Sequence, residues 1–384
     1  MIKLLLGGSP CTYWSIAQKN NRETTASGLG WELFRNYVIA KEKFNPDFFL
    51  YENNKSASTA IKEQIKKELK VWDGSLFMED TGARYIEINS ALVSAQNRQR
   101  FYVHNCGDVK QPEDRCILLC DILENDVTKS IRIPAYCNDD KSRPVRASYS
   151  NKGNGIGSLQ SECFTENQIK QVSDYIAVPI NTTSNEKSQT IKAQYGFTSV
   201  QNICCYSSTY GASGVATTTT EEQYNELKHN KNAIDKAYEV KEGKIIIKDK
   251  KYPVKLKDGF YTIRKLTVKE CCRLQTMPDD YCKSISDYQA YKCLGNGWTA
   301  EVIIHILNGA LKNVPRDEEI VVLSMYDGIA TGMYCLDKMG FKNVKYYAYE
   351  IDKYAIQVAK DNYPNIIECG DAFQVRNEHW SLGG

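Results

Sequence analysis

The sequence predicts an α/β protein built on a doubly wound, mostly parallel sheet, with a second, smaller and irregular lobe. Short apolar runs suited to buried strands alternate with segments of helical spacing in residues 1–107 and again after residue 313, which is typical of parallel sheets covered by helices. Residues 108–262 are instead rich in Ser, Thr, Asn, Gly and Lys and show no periodicity. A long polar stretch without periodicity is typical of a functional surface outside the sheet. A chain of 384 residues is long enough to fold two such lobes.

The first part of the chain shows the clearest alternation. Strands are predicted at Lys3–Leu6, Phe48–Tyr51 and Arg84–Ile88, and helices at Gly30–Phe44 and Ser58–Leu69. Because parallel strands need a crossover connection between them, this order favours a parallel sheet.

Regular patterns return at about residue 263, after loop-like islands at Asn151–Gly157 and Thr217–Thr220. The elements predicted there are helices at Thr267–Thr276, Ala300–Lys312 and Thr331–Met339 and strands at Ile320–Met325, Val344–Tyr349 and Asn365–Glu368. The alternation of strand and helix predicts a second part of the same kind of sheet.

Composition excludes several classes of protein. Charged residues make up 25% and hydrophobic residues 42% of the chain, which is typical of soluble globular proteins. No apolar run approaches the roughly 18 residues of a membrane helix and no export signal is present, so we expect a cytoplasmic protein. The 14 cysteines lack CxxC spacing and are joined by only 4 histidines, so we expect reduced thiols and no metal. A net charge of +2 gives no global sign of a nucleic-acid partner.

A glycine-containing turn, Tyr-Asp-Gly-Ile-Ala-Thr-Gly at 326–332, joins a predicted strand to a helix, and Glu350 closes the next strand. In doubly wound sheets, glycines at such a turn let a cofactor approach the backbone, and an acid after the second strand accepts hydrogen bonds from ribose hydroxyls. The turn lacks the glycine spacing of a dinucleotide fold, so by itself it fits either a nucleoside-bearing cofactor or an ordinary tight turn. Asp371 is suited either to an adenine amino group or to a helix cap.

The N-terminal motif, Gly-Gly-Ser-Pro-Cys at 7–11, directly follows the first predicted strand. Open α/β sheets bind ligands at the carboxyl ends of their strands, so Cys11 is a candidate nucleophile, whereas a lone cysteine is usually a small buried hydrophobe. Two further pieces favour the nucleophile. Glu52 ends the second strand, and Arg98 and Arg100 follow the third. Side chains two residues apart on an extended segment share one face.

Together these motifs resemble those of the DNA (cytosine-5)-methyltransferases. The matching pieces are Pro10-Cys11, Glu52-Asn53, Gln96-x-Arg98-x-Arg100, Ile263–Tyr281, Gly295-Asn296 and, for the cofactor motif, Val322–Gly332. The chain looks like a phage or bacterial member whose cofactor motif is similar to that of the animal de novo enzymes. Thr12 and Asn54 replace the family's glutamine and valine, and the cofactor turn lacks its middle glycine, so the roles of these positions do not carry over.

The resemblance implies a class I S-adenosylmethionine-dependent methyltransferase fold and methylation of carbon 5 of cytosine in double-stranded DNA. Cys11 would add to carbon 6 of a flipped-out cytosine, and Glu52 would protonate or hydrogen-bond ring nitrogen 3. Arg98 and Arg100 would orient Glu52 and contact the base oxygen and the target phosphate. The residues expected to bind S-adenosylmethionine are Pro10, Asn296, Trp298, Tyr326, Asp327, Gly328, Ile329, Ala330, Thr331, Gly332, Glu350, Ile351, Asp371 and Ala372.

On the same analogy, a loop between residues 15 and 30 fills the gap left by the flipped base, where Lys19 and Arg22 would reach phosphates. We expect a monomer on DNA without a metal ion; the sequence specifies neither the target site nor a companion endonuclease of a restriction–modification pair. The expected segments are a catalytic half (1–107), a target-recognition lobe (108–262), returning helices (263–312) and a cofactor-binding half (313–384).

The motifs stand in circularly permuted order, because the family's cofactor turn usually precedes Pro-Cys and here lies near the end of the chain. We therefore predict that the strand at 3–6 lies in one parallel sheet with those at 320–325 and 344–349.

Two alternative functions stay open. RNA cytosine-5 methyltransferases share the Pro-Cys and Glu-Asn motifs, although their middle region is short. A non-catalytic DNA-binding regulator on the same fold would be expected to have lost Cys11 or Glu52, and both are present.

Overall fold

The computed structural model describes residues 1–15, 22–75, 79–117, 119–124, 131–132, 214–219, 221–229, 236–242, 244–247, 250–253 and 258–380. In chain order its strands are β1 (Ile2–Gly7), β2 (Phe48–Asn54), β3 (Arg84–Asn89), β4 (Gln99–His104), β5 (Ile131–Arg132), β6 (Gly214–Thr219), β7 (Lys236–Lys241), β8 (Lys244–Ile247), β9 (Lys250–Pro253), β10 (Gly259–Lys265), β11 (Ile320–Met325), β12 (Val344–Tyr349) and β13 (Ile367–Gly370). Its helices are α1 (Gly28–Phe44), α2 (Thr59–Glu68), α3 (Leu119–Ile122), α4 (Glu221–His229), α5 (Val268–Leu274), α6 (Asp287–Asn296), α7 (Ala300–Leu311), α8 (Thr331–Lys338) and α9 (Lys353–Asn362), with short 3₁₀ helices at Cys11–Tyr13, Ser90–Leu92 and Ala372–Arg376.

The main sheet has the strand order β13-β12-β11-β1-β2-β4-β3 within the described residues. The first five strands in this order are parallel, and β4 runs antiparallel to both β2 and β3. β1 pairs with β11 from Ile2 opposite Ile320 to Gly7 opposite Met325, so strands from the two ends of the chain are neighbours. The predicted doubly wound, mostly parallel sheet is confirmed, and so is the shared sheet of β1, β11 and β12. This topology is consistent with the expected methyltransferase fold.

Side chains alternate between the two faces of the sheet along each strand. Apolar residues therefore lie on both faces, and helices cover both. Leu4 and Leu6 of β1 face a core that includes α7 and α8, whereas Leu5 faces a second core that includes α1 and α2. All three leucines are fully buried, and each stabilises the fold by about 1.5–3 kcal/mol relative to an exposed side chain. β1 therefore joins the two helical layers.

The structure contains elements that the sequence pattern does not predict. β4 starts with the polar residues Gln99 and Arg100, yet all of its residues from Arg100 onward are buried, so tertiary contacts define this strand. The helix α6 lies between two predicted helices. The loop interpretation of Thr217–Thr220 is wrong for its first three residues, which belong to β6; β-branched threonines favour strands. The island Asn151–Gly157 lies outside the described residues.

A second sheet occupies the described parts of the middle region. Its strand order is β5-β6-β10-β7-β8-β9, and every pairing is antiparallel. β10 crosses the boundary expected at residue 262 and leads into α5, whose start is fixed by a capping box between Thr267 and Glu270. Glu270 is fully buried and also accepts a hydrogen bond of 2.9 Å from the backbone nitrogen of Glu124. The four-segment division of the chain stays a prediction.

Among the helices of the described ranges, none is long and apolar enough to cross a membrane. Within the same ranges, no group of three or more His, Cys, Asp or Glu side chains is arranged to hold a metal ion. The described cysteines, Cys11 included, are free thiols.

Candidate active site

The loop after β1 carries Cys11 at the carboxyl edge of the sheet. Cys11 opens a short 3₁₀ helix directly after Pro10, and its side chain is half-buried. Gly8 lets this loop lie against β2, because a Cβ atom there would come within 2.8 Å of the Glu52 carbonyl oxygen and 3.0 Å of Glu52 Oε2. A larger residue at position 8 would therefore displace the Cys11 loop or Glu52.

Asn53 ties the Cys11 loop to β2. Its Nδ2 donates to the Ser9 carbonyl oxygen at 2.9 Å and to the Tyr51 hydroxyl at 3.0 Å. Asn53 and Ser9 are buried, so losing one partner would leave a polar group unpaired at a cost of about 1–3 kcal/mol. Asn54, the departure from the family's valine, accepts from the backbone nitrogen of Ser56 at 3.0 Å. That departure therefore shapes the turn into α2.

Glu52 is buried on β2, and its two carboxylate oxygens have different partners. Arg100 Nε forms an ion pair with Oε1 at 2.9 Å, and the indole Nε1 of Trp298 donates to Oε2 at 3.1 Å. Arg100 lies on β4, the strand that the sequence pattern does not predict. A charge-assisted bond of this kind restricts the orientation of the carboxylate.

Arg98 lies just before β4 and is only 3% exposed. Its Nη2 donates to the carbonyl oxygens of Gly295 at 3.1 Å and Gly297 at 2.9 Å. The guanidinium thus fastens the segment after α6 to the sheet. Its expected contacts with the base oxygen and the phosphate stay predictions.

The four residues expected to be catalytic influence one another electrostatically. Burial and the nearby Arg100 lower the pKa of Arg98, whereas Glu52 and Cys11 act in the opposite direction. The structure therefore brings together one thiol, one carboxylate and two guanidinium groups from three separate parts of the chain.

Arg22, which was expected to reach DNA phosphates, is bound to the protein. Its Nε donates to the Trp14 carbonyl oxygen at 3.1 Å and its Nη2 to the Ser56 carbonyl oxygen at 2.5 Å. Arg22 therefore anchors the end of the loop beside α2. Lys19 lies outside the described residues.

The turn after β11 has an unusual backbone. Tyr326, Gly328 and Ala330 have φ angles of 61°, 67° and 59°, a region that residues other than glycine rarely adopt. No atom lies within 4 Å of the position that a Cβ at Gly328 would occupy, so the turn faces open space. Ile329 and Thr331 are buried behind it. Gly332 packs tightly in α8, because a Cβ there would lie 2.6 Å from the Tyr346 hydroxyl.

Asp327 is held beneath this turn. Its Oδ1 accepts hydrogen bonds from Ser324 Oγ at 2.7 Å and from the Tyr346 hydroxyl at 2.6 Å. Burial raises the pKa of Asp327 to about 6 in spite of these two bonds. Asp327 thus supports the turn from inside.

Glu350 follows β12 beside the same turn. Its Oε2 accepts from the backbone nitrogen of Gly328 at 2.8 Å, and its Oε1 accepts from those of Ile351 and Asp352, also at 2.8 Å. A carboxylate has about four acceptor sites, so Glu350 can still accept a hydrogen bond from a ligand. Ile351 is 73% exposed next to it.

The remaining expected cofactor residues lie at the edges of this region. Asp371 is exposed and caps the 3₁₀ helix Ala372–Arg376 by accepting from the backbone nitrogen of Phe373 at 2.9 Å. The capping role of Asp371 is therefore observed, and its contact with adenine stays a prediction. Ala372 is buried, whereas Pro10 and Asn296 are exposed.

A family model described as "C-5 cytosine-specific DNA methylase" matches residues 1–312, well over half of the chain. The chain belongs to this family. It is therefore a DNA cytosine methyltransferase. The match includes all four expected catalytic residues and ends before β11, which leads into the cofactor turn.

The methylase is similar to several known proteins. The type II methyltransferase M.HpaII of Haemophilus parainfluenzae is 24% identical over 311 residues, which cover 76% of this chain and 67% of that protein. A solved structure of a Spodoptera frugiperda DNMT2 mutant has 17% identity over 79% of this chain and 78% of that chain, with a TM-score of 0.37. A DNA modification methyltransferase encoded within an E. coli prophage has 12% identity over 80% and 77% of the chains, with a TM-score of 0.33.

The contact between Trp298 and Glu52 could not be predicted from the sequence of this methylase. Trp298 was expected to bind the cofactor, and the structure places its indole against Glu52. The two residues are 246 positions apart, so no local pattern links them. The roles of Gly8 and Asn53 have a partial signal, because both residues belong to motifs that contain a catalytic residue.

Glu368 on β13 gives the site region a testable pH dependence. Neither of its buried carboxylate oxygens has a hydrogen-bond partner among the described residues. Burial, supported by Asp327 and Glu350, raises the pKa of Glu368 to about 7, while Lys360 acts in the opposite direction. Because the folded-state pKa lies above the ordinary value of 4.5, stability from this group is full below about pH 4.5 and is lost as the pH rises to about 7.

We therefore expect Glu368→Gln to change the pH dependence of unfolding. The melting temperature of the variant relative to the wild type should rise by a few degrees between about pH 5 and about pH 7.5 and then level off. Thermal unfolding followed by circular dichroism at several pH values measures this difference. Asp361→Asn, which changes an exposed acid on α9, is the control and should show no such trend. A pH-independent difference for Glu368→Gln would contradict the expectation.

Proposed function

We propose that this methylase transfers the methyl group of S-adenosylmethionine to carbon 5 of cytosine in double-stranded DNA through a covalent bond between Cys11 and carbon 6. The observation that carries the proposal is the half-buried Cys11 thiol at the same sheet edge as the paired Glu52 and Arg100. Carbon 5 is too weak a nucleophile to take a methyl group unaided, and a thiolate that adds to carbon 6 supplies the missing electron density.

Each side chain has a defined task in this reaction. The Cys11 thiolate forms the bond to carbon 6, the ring electrons move towards nitrogen 3, and the Glu52 carboxyl donates a proton there. Arg100 keeps Glu52 in place through Oε1. Carbon 5 then takes the methyl group, and the proton on nitrogen 3 returns to Glu52. When the carbon 5 proton passes to solvent, the electrons of that C–H bond restore the ring double bond, the bond between Cys11 and carbon 6 breaks, and the thiolate is regenerated.

The turn after β11 fits a nucleoside-bearing methyl donor. Gly328 faces open space, Glu350 retains acceptor sites for ribose hydroxyls, and the exposed Ile351 offers an apolar surface for a base. Asp371 lies exposed after β13, within the same region. S-adenosylmethionine, when bound there, supplies the methyl group.

The family supports DNA as the substrate class. A stacked cytosine cannot reach a thiol in the loop after β1, so the target base has to flip out at a cost of a few kcal/mol. We assign target recognition to the middle region, whose described strands form the second sheet. Similarity to a type II methyltransferase supports a modification role in a restriction–modification pair, with the protein acting as a monomer on DNA.

We also propose that the chain is a circular permutation of the usual family order. The support is that β11, which precedes the cofactor turn, pairs in parallel with β1, which precedes Cys11. The family match stops at residue 312, whereas β11, β12 and β13 continue the same sheet beyond that point.

Covalent trapping tests the role of Cys11. In a DNA duplex that carries 5-fluorocytosine, the fluorine on carbon 5 cannot leave as a proton does, so the bond to Cys11 should persist. The wild-type protein with S-adenosylmethionine should give a denaturant-resistant protein–DNA adduct on a gel, and Cys11→Ser should give none. Cys116→Ser, at an exposed cysteine, is the matched control and should form the adduct. Adduct formation by Cys11→Ser would refute the assignment, and trapping on a fluorinated RNA but not on DNA would favour the RNA alternative.

Calorimetry tests the role of Glu350. Because its carboxylate is expected to accept hydrogen bonds from the cofactor's ribose, Glu350→Ala should weaken S-adenosylmethionine binding about tenfold or more. Glu319→Ala removes an exposed acid just before β11 and should bind as the wild type does. Unchanged affinity for Glu350→Ala would show that this acid does not hold the ribose.

A further inference from the structure

We propose that Trp298 is a positioning residue that fixes the Glu52 carboxylate for its contact with cytosine, an inference that rests on the proposed function. Its indole Nε1 donates to Glu52 Oε2 at 3.1 Å, while Arg100 Nε lies 2.9 Å from Glu52 Oε1. Each carboxylate oxygen thus has its own donor, and the two donors come from different parts of the chain. This task for the indole differs from the cofactor contact expected at Trp298.

A single donor leaves a carboxylate free to turn. The terminal torsion of a glutamate side chain is broad rather than confined to narrow staggered positions, so Arg100 alone would hold one oxygen while the other rotated. A second donor on Oε2 fixes the carboxylate plane. A protonated carboxyl group has one O–H donor and keeps acceptor capacity on both oxygens, so Glu52 can accept from both residues and still donate to ring nitrogen 3 of the base.

The backbone around Trp298 is itself held in place. Arg98 donates to the carbonyl oxygens of Gly295 and Gly297, on the N-terminal side of Trp298. On the other side, Thr299 Oγ1 donates to Gln275 Oε1 at 3.0 Å and lies 2.9 Å from Ser90 Oγ. These polar groups are buried, so the segment that carries the indole is rigid and pre-organised.

Gly8 completes the arrangement from the side of β1. A Cβ atom at Gly8 would lie 3.0 Å from Glu52 Oε2 and 3.5 Å from Trp298 Nε1. The absence of a side chain at position 8 therefore leaves the space in which the indole and the carboxylate meet. Two segments distant in the chain, the Gly8 loop and the Trp298 segment, therefore meet at Oε2 of Glu52.

The test uses Trp298→Phe in the full-length protein, because phenylalanine keeps an aromatic ring and removes the N–H donor. We expect kcat for DNA methylation to fall about 10- to 100-fold, the range for losing a hydrogen bond to a charged group. The affinity for S-adenosylmethionine, measured by calorimetry, should stay within about twofold of the wild type. The KM for DNA should likewise change by no more than about twofold, so the loss falls on kcat.

Trp72→Phe is the matched control. It removes an indole N–H that donates to the Ser75 carbonyl oxygen at 3.3 Å, in a loop outside the site, and it should leave kcat and both binding measurements unchanged. If Trp298→Phe also lowers the melting temperature, kcat is expressed per S-adenosylmethionine site counted by calorimetry, so that a loss of folded protein does not count as a loss of kcat.

The possible outcomes separate the two proposals. A wild-type protein that methylates neither DNA nor RNA would overturn the proposed function and this inference with it. An active wild type together with a Trp298→Phe variant of equal kcat would overturn the positioning role alone. A variant with normal kcat and weakened S-adenosylmethionine binding would instead assign Trp298 to the cofactor.

Discussion

The parallel pairing of β1 with β2 on one side and β11 on the other is the contact on which the site depends. Gly7, the last residue of β1, lies opposite Tyr51 of β2 and Met325 of β11. The next residues along the three strands begin the Cys11 loop, the Glu52 carboxylate and the cofactor turn. Neighbouring strands lie about 4.8 Å apart. This register therefore places the proposed nucleophile, acid and methyl-donor site side by side at one edge of the sheet. Gly7 has to be small, because a Cβ atom there would lie 2.9 Å from the Met325 carbonyl oxygen.

The site also buries charge, which is unfavourable unless the charges are paired. Glu52, Arg98 and Arg100 are each at most 9% exposed, and removing such groups from water costs several kcal/mol per ion. The ion pair between Glu52 and Arg100 and the carbonyl oxygens that Arg98 binds offset this cost. The same bonds leave the side chains little freedom to move, so the energy of folding orders the site before substrate arrives.

The sequence was informative where function depends on local pattern. The alternation of strands and helices predicted β1, α1, β2, α2 and β3 in order, and the motifs placed Cys11 and Glu52 at the carboxyl ends of the first two strands. The sequence was not informative where contacts between distant parts of the chain determine the structure. The antiparallel strand β4 was not predicted, because it starts with polar residues. These residues are buried only because their partners lie on β2, far away in the chain. The bond from Trp298 to Glu52 likewise joins segments that meet only in the folded protein.

The central claim, that this chain methylates cytosine in DNA through Cys11, is tested most directly by bisulfite sequencing. DNA would be sequenced from cells that produce the wild-type protein and from cells that produce Cys11→Ala at equal levels. We expect protected cytosines in one recurring sequence context with the wild type and only background protection with Cys11→Ala. Complete conversion of the DNA in both cultures, or equal protection in both, would contradict it.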